Sequence, residues 1–195
     1  LAVIEPVKLM SFAWKWMGDK DINVRALPDY KSYKGGIVDD AQLIKDVWSI
    51  LDSADVVIAH NGDSFDIKVM NARFLANGLN PPSDYKTVDT LKVAKKYFRF
   101  NNNSLNELGD YLDEGRKVNN GGFGTWLSCM KGELPAWKRM KEYNARDVEL
   151  LERVYLRLRP YIGNHPNLNL FAPWAVKANE FSCPTCQSTN TVRRG

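Results

Sequence analysis

The chain has 195 residues, 44% hydrophobic and 26% charged, with a net charge of +4 and a pI of about 8.9. That length suits one domain with at most a small appendage, and the mild positive balance permits a polyanionic partner without requiring one. No apolar run approaches the roughly 20 residues that span a bilayer, and no basic segment followed by an apolar block opens the chain, so the expected compartment is the cytoplasm. Three cysteines without a secretion signal argue against a disulfide scaffold.

Residues 7–16 are rich in β-branched and aromatic side chains. Gly18-Asp19-Lys20-Asp21 signals a turn, and residues 22–27 follow as a second strand of a hairpin. A helix is expected over 40–52, where Ile44, Val47, Trp48 and Leu51 share one face and Asp39 or Asp40 can cap the start. Residues 54–59 read as a buried parallel strand. Residues 65–77 form the next helix, with Gly78 as its C-terminal cap. A short strand at 86–88 precedes helices at 91–98 and 104–112, the second opened by a capping box of Ser104 and Glu107. Residues 119–124 read as a Gly/Asn loop, and Pro135 opens a long helix to about Leu158. The order of elements predicts an α/β fold with a mixed sheet. No strand of suitable type is found to join the hairpin to the strand at 54–59.

Two local features carry chemistry. Asn61-Gly62-Asp63-Ser64-Phe65-Asp66 follows the carboxyl end of a strand and opens a helix, the place where open α/β sheets bind ligands. Asp66 is also what any helix start favours, and Asn61 is an ordinary turn residue. Tyr143-Asn144-Ala145-Arg146-Asp147 places Tyr143 and Asp147 one turn apart on the inward stripe of the long helix. A carboxylate there needs a partner: a bound cation, or a salt bridge to Arg146 or Lys141.

Taken together, these features resemble the DEDD superfamily of 3′–5′ exonucleases in its tyrosine variant, over roughly residues 5–160 by element order. The second motif of that family is similar to Asn61…Phe65-Asp66 and the third to Tyr143-x-x-x-Asp147. Thr87-Val88-Asp89-Thr90-Leu91 and Ser104-Leu105-Asn106-Glu107-Leu108 are similar to its connecting segments. Residues 5–20 look like the second strand of stand-alone, often phage-encoded, members. The resemblance implies a ribonuclease H-like mixed sheet flanked by helices. It also implies a two-metal mechanism with Mg²⁺ or Mn²⁺ held by Asp66 and Asp147, and Tyr143 orienting the attacking water. Single-stranded DNA 3′ ends would be the substrate, with Asn61 and Phe65 as nucleic-acid contacts. The family's first motif, Asp-x-Glu on the central first strand, should precede residue 5. The only Asp-x-Glu here is Asp147-Val148-Glu149, on a helix, where residues two apart point to nearly opposite faces. The chain is therefore expected to be a fragment lacking that strand, and inactive or nearly so by itself.

Cys183-Pro184-Thr185-Cys186 followed by a basic tail resembles the first half of a zinc ribbon, with Cys183 and Cys186 as half of a Zn²⁺ site. The expected organisation is an exonuclease domain over 1–163, a linker over 164–180 and the partial ribbon over 181–195. Basic residues gather at Lys92, Lys95, Lys96 and Arg99, and at Lys138, Arg139 and Lys141. Phe65 and Trp126 are candidates for stacking on bases, with core packing the expected role of both; Cys129 is expected in the core and His60 in a structural role. Two other readings stay open: a degenerate nuclease fold that only binds nucleic acid, and an exoribonuclease of the same fold.

Overall fold

The computed structural model describes residues 7–35, 39–116 and 122–168, with positions 183, 188 and 189. The chain opens with a hairpin of β1 (Ser11–Trp14) and antiparallel β2 (Asn23–Ala26), in register Ser11 to Ala26. It continues through α1 (Ala41–Asp52), β3 (Val56–Ala59), α2 (Asp66–Ala76), β4 (Lys86–Asp89), α3 (Thr90–Tyr97) and α4 (Leu105–Tyr111). The last two helices are α5 (Phe123–Met130) and α6 (Leu134–Leu158). β3 and β4 pair in parallel, with Ala59 beside Asp89 at their carboxyl ends. Among the described residues the four strands form two separate pairs. This matches the mixed α/β expectation and the gap anticipated between the hairpin and β3.

α1 is capped by Asp39, whose Oδ1 accepts the Ala41 N–H at 2.9 Å. The neighbouring Asp40 is 2% exposed and serves packing instead. It accepts the Leu9 N–H at 2.8 Å and a two-pronged contact from Arg73 of α2, at 3.0 and 2.5 Å. One buried carboxylate thus ties the lead-in to β1, α1 and α2 together. Ser104 caps α4 as its sequence predicts, accepting the Glu107 N–H, and Gly78 takes φ +68° after α2.

α6 is the spine. Its 25 residues run about 37 Å at a rise of about 1.5 Å per residue. Near its start, Ala136, Trp137 and Met140 pack with Met10, Leu27 and Cys129. Near its end, Leu150, Val154, Tyr155 and Leu158 pack with Val88 and Leu108. Between Met140 and Leu150 no α6 residue is fully buried. There the hairpin and the turn after it meet the helix through polar contacts, Lys141 to Asp29 at 2.8 Å and Asn144 Nδ2 to Ser11 Oγ at 2.6 Å; just past Leu150, Glu152 forms an ion pair with Lys15. Tyr143 and Asp147 lie on this polar waist.

The loop expected over 119–124 overlaps only the first two residues of α5, and no element is predicted for the rest of that helix. Gly122 precedes it, and Phe123, Trp126, Leu127 and Met130 recur at helical spacing, a signal that the Gly/Asn run before it obscured. Cys129 is fully buried, as expected. Most of the linker and ribbon segments, including Cys186, lies outside the described residues.

Candidate active site

β3 ends at Ala59, and after six intervening residues α2 begins at Asp66. The chain reverses within that span because Asn61 adopts φ +67°, a left-handed conformation that Asn tolerates better than most residues. Gly62 then lies against the strand it has just left: a Cβ there would stand 2.4 Å from the Ala59 Cβ. Only glycine fits, and the turn closes with Phe65 N–H to the Asn61 carbonyl at 3.1 Å and Ile67 N–H to the Gly62 carbonyl at 2.9 Å.

The parallel neighbour fixes this turn. Asp89, 5% exposed at the end of β4, accepts the N–H groups of Asn61 at 2.9 Å and Asp63 at 3.3 Å, besides capping α3 through Leu91 at 3.0 Å. A carboxylate holding several backbone donors is a strong clamp, since each bond is charge-assisted. By sequence, Asp89 belongs only to a connecting segment. An Asp just before a helix start is a capping signal, but its reach to Asn61 is a tertiary fact. Lys92 adds an exposed ion pair to Asp63 at 2.7 Å. His60 contributes a bracket: its Nδ1 lies 2.9 Å from the Thr90 hydroxyl, which donates to the Ala59 carbonyl at 3.1 Å. With its one proton used there, Thr90 accepts from His60, which assigns the imidazole proton to Nδ1. The structural role expected of His60 is what this geometry provides.

Asp66 occupies the first position of α2, where the helix dipole favours a carboxylate. Its residue is solvent-accessible, yet crowding by the surrounding chain desolvates the carboxyl enough to raise its pKa. Its own backbone N–H opposes this rise, and the charge of Asp89 adds to it. Phe65 is 61% exposed and Trp126 46%, so neither has the core role expected of it. Phe65 sits at the junction of turn and helix and presents a bare ring beside Asp66.

On the second element, Tyr143 and Asp147 are half-buried one turn apart, and the Asp147 Oδ1 is shut away from solvent. Lys141, one of the salt-bridge partners considered for Asp147, is engaged by Asp29. Glu149 pairs with Arg153 at 2.5 Å. The turn groups Asn61, Phe65 and Asp66; the helix groups Tyr143 and Asp147. The Cys183 N–H donates to the Ser188 carbonyl at 2.8 Å. Among the described residues, no group of three or more His, Cys, Asp or Glu side chains has the arrangement of a metal site. No helix among them is long and apolar enough to cross a membrane.

A family model described as the RNase_H superfamily matches residues 22–159, from the start of the second hairpin strand to the end of α6. The chain belongs to the RNase_H superfamily. The matched span encloses the whole turn, Asp89, Tyr143 and Asp147. Membership supports nuclease chemistry on nucleic acid, for which nucleases of the RNase_H superfamily generally use divalent metal ions. No curated protein and no solved structure matches the chain.

Proposed function

We propose that this chain is the core of a divalent-metal-dependent 3′–5′ exonuclease acting on DNA, with single-stranded 3′ ends as substrate. The observation that carries the reading is the placement of its acidic motifs. One carboxylate stands on a glycine-dependent turn at the end of a parallel strand, and the other on the polar waist of a helix packed at both ends. Both offer hard oxygen donors, the kind Mg²⁺ and Mn²⁺ take. Asp66 and Asp147 would hold the ions, whose chemistry when bound is to activate a water and stabilise the leaving alkoxide. Tyr143 would orient that water, and Asn61 and the exposed ring of Phe65 would contact the strand. Two carboxylates do not complete a two-metal site, and by the resemblance the remaining ligands come from an Asp-x-Glu strand. Residues 181–195 would be the first half of a zinc ribbon, with Cys183 and Cys186 as its ligands and a basic tail suited to phosphate.

A second reading is a catalytically degenerate nucleic-acid-binding module. It is favoured by the lack of a three-ligand group among the described residues. One experiment separates the two. The protein in its full reading frame is given 5′-labelled single-stranded DNA and, in parallel, RNA of the same sequence, with Mg²⁺ or Mn²⁺. A ladder shortening from the 3′ end of DNA is expected. Asp147→Asn should abolish it without moving the melting curve, because the amide keeps the size but loses the charge that holds the ion. Tyr143→Phe should be milder. Undiminished cleavage by Asp147→Asn would overturn the mechanism. Binding without cleavage by the parent would favour the binding module, and faster loss of the RNA would favour an exoribonuclease.

A further inference from the structure

Asp89 ends β4 close enough to Asp66 for its charge to act on that carboxyl. An acid so placed invites the role of a further metal ligand. We propose instead that Asp89 is a positioning residue for Asp66: its carboxylate fixes the turn that aims the Asp66 carboxylate, and it takes no metal ion itself. The proposal rests on the nuclease reading above and adds a residue to its machinery.

An ionised carboxylate has about four acceptor directions, two on each oxygen. The Oδ1 of Asp89 takes three backbone N–H groups: Asn61 at 2.9 Å, Leu91 at 3.0 Å and Lys92 at 3.4 Å. Its Oδ2 takes the Asp63 N–H at 3.3 Å, and the residue as a whole is 5% exposed. Oxygens occupied and buried in this way are poor ligands for a cation. Two of the four bonds cap α3, which any good N-cap residue would do. The other two leave that helix and reach the turn, 26 and 28 positions back along the chain. Capping does not require them.

What they hold is the mount of Asp66. Asn61 and Asp63 flank Gly62, and the Asp66 carboxylate lies near that glycine: a Cβ on Gly62 would stand 4.0 Å from Asp66 Oδ2. The first turn of α2 hangs from the same residues, with Phe65 N–H on the Asn61 carbonyl and Ile67 N–H on the Gly62 carbonyl. Fixing the peptide planes on both sides of Gly62 therefore fixes where α2 starts and where Asp66 points. The bond to the Asn61 N–H also helps hold that residue at φ +67°, a conformation costly for any side chain. Placement of this kind governs rate, since a misplacement of about 1 Å can cost roughly 100-fold.

Asp89→Ser separates the two duties. Serine keeps the cap on α3, but its single short hydroxyl cannot also reach the turn. The protein in its full reading frame is followed in three ways: a melting curve, hydrogen exchange at the Asn61 and Asp63 amides with a metal chelator present, and cleavage of 5′-labelled single-stranded DNA at saturating Mn²⁺. The variant should melt close to the parent and exchange those two amides roughly tenfold faster. Its kcat should fall roughly 10- to 100-fold with KM for DNA unchanged. Asp89→Asn keeps the size but turns one oxygen into a donor facing backbone N–H, so it should show the same pattern, and it carries the test if the serine variant melts early. Faster exchange with a parent-like kcat would make the clamp structural only and overturn the proposal. Lost cleavage with parent-like exchange would point to a ligand and overturn it as well. Early melting by both variants would do the same, by showing that Asp89 holds the fold. A parent that leaves DNA intact would overturn the exonuclease reading, and this role with it.

Discussion

The two ends of α6 are built alike, and its middle is not. Around Trp137 and around Tyr155 the helix buries an apolar stripe against different partners, the hairpin, α1 and α5 at one end and β4, α3 and α4 at the other. Between them the same stripe carries Tyr143, Asn144 and Asp147. Continuing the stripe with apolar residues would have merged the two cores and added stability. The waist instead holds a carboxylate with one oxygen cut off from water, an arrangement that costs free energy unless something compensates it. Uninterrupted stretches of this helix hold the fold; the interrupted one carries the residues proposed to act in chemistry.

Mutations can break or sharpen this contrast. Trp137→Ala should cost about 3–5 kcal/mol and Leu158→Ala about 2–5 kcal/mol in denaturant unfolding, because each opens a cavity in its core. Asn144→Ala, on the waist, removes only its bond to Ser11 and should cost about 1 kcal/mol. A waist variant as damaging as the core variants would erase the distinction. Gly62→Ala should fall between them, at about 1–3 kcal/mol, since the new methyl must displace the turn from Ala59. The smallest effect concerns pH at the Tyr155 end. His165 is buried, with Nε2 taking the Tyr155 hydroxyl at 2.8 Å and Nδ1 facing the Pro166 carbonyl at 2.6 Å. Burial lowers its pKa, the Pro166 contact opposes this, and Arg159 adds to the lowering. A lowered folded-state pKa means the neutral ring is favoured. Its contribution is therefore complete above about pH 6.5, the unfolded value, and is lost as pH falls through the folded value. The melting temperature should drop on acidification below that point, and His165→Gln should flatten the drop.

Much of this was legible in the sequence because it is local. The β3–α2 turn follows from an Asn-Gly pair behind an apolar run, the α4 cap from Ser104 and Glu107, and the Tyr143–Asp147 spacing from helix geometry. What escaped the sequence depends on the tertiary arrangement. Asp89 looks like a cap for its own helix; its hold on Asn61 arises because parallel pairing sets two strand ends side by side, 28 positions apart. Asp40 reads as a cap and proves to be an internal tie for Arg73. Phe65 and Trp126 look like core because large aromatics usually are, and nothing in their neighbours reveals that their rings face water.

A helix shared between two cores also fixes how the waist opens. Backbone amides from Tyr143 to Asp147 can exchange with solvent deuterium only when α6 frays inward from one end, or when the whole domain lets go. Their protection should therefore report the weaker of the two cores, whichever that is, and a mutation far along the helix should be read out at the residues proposed to hold metal.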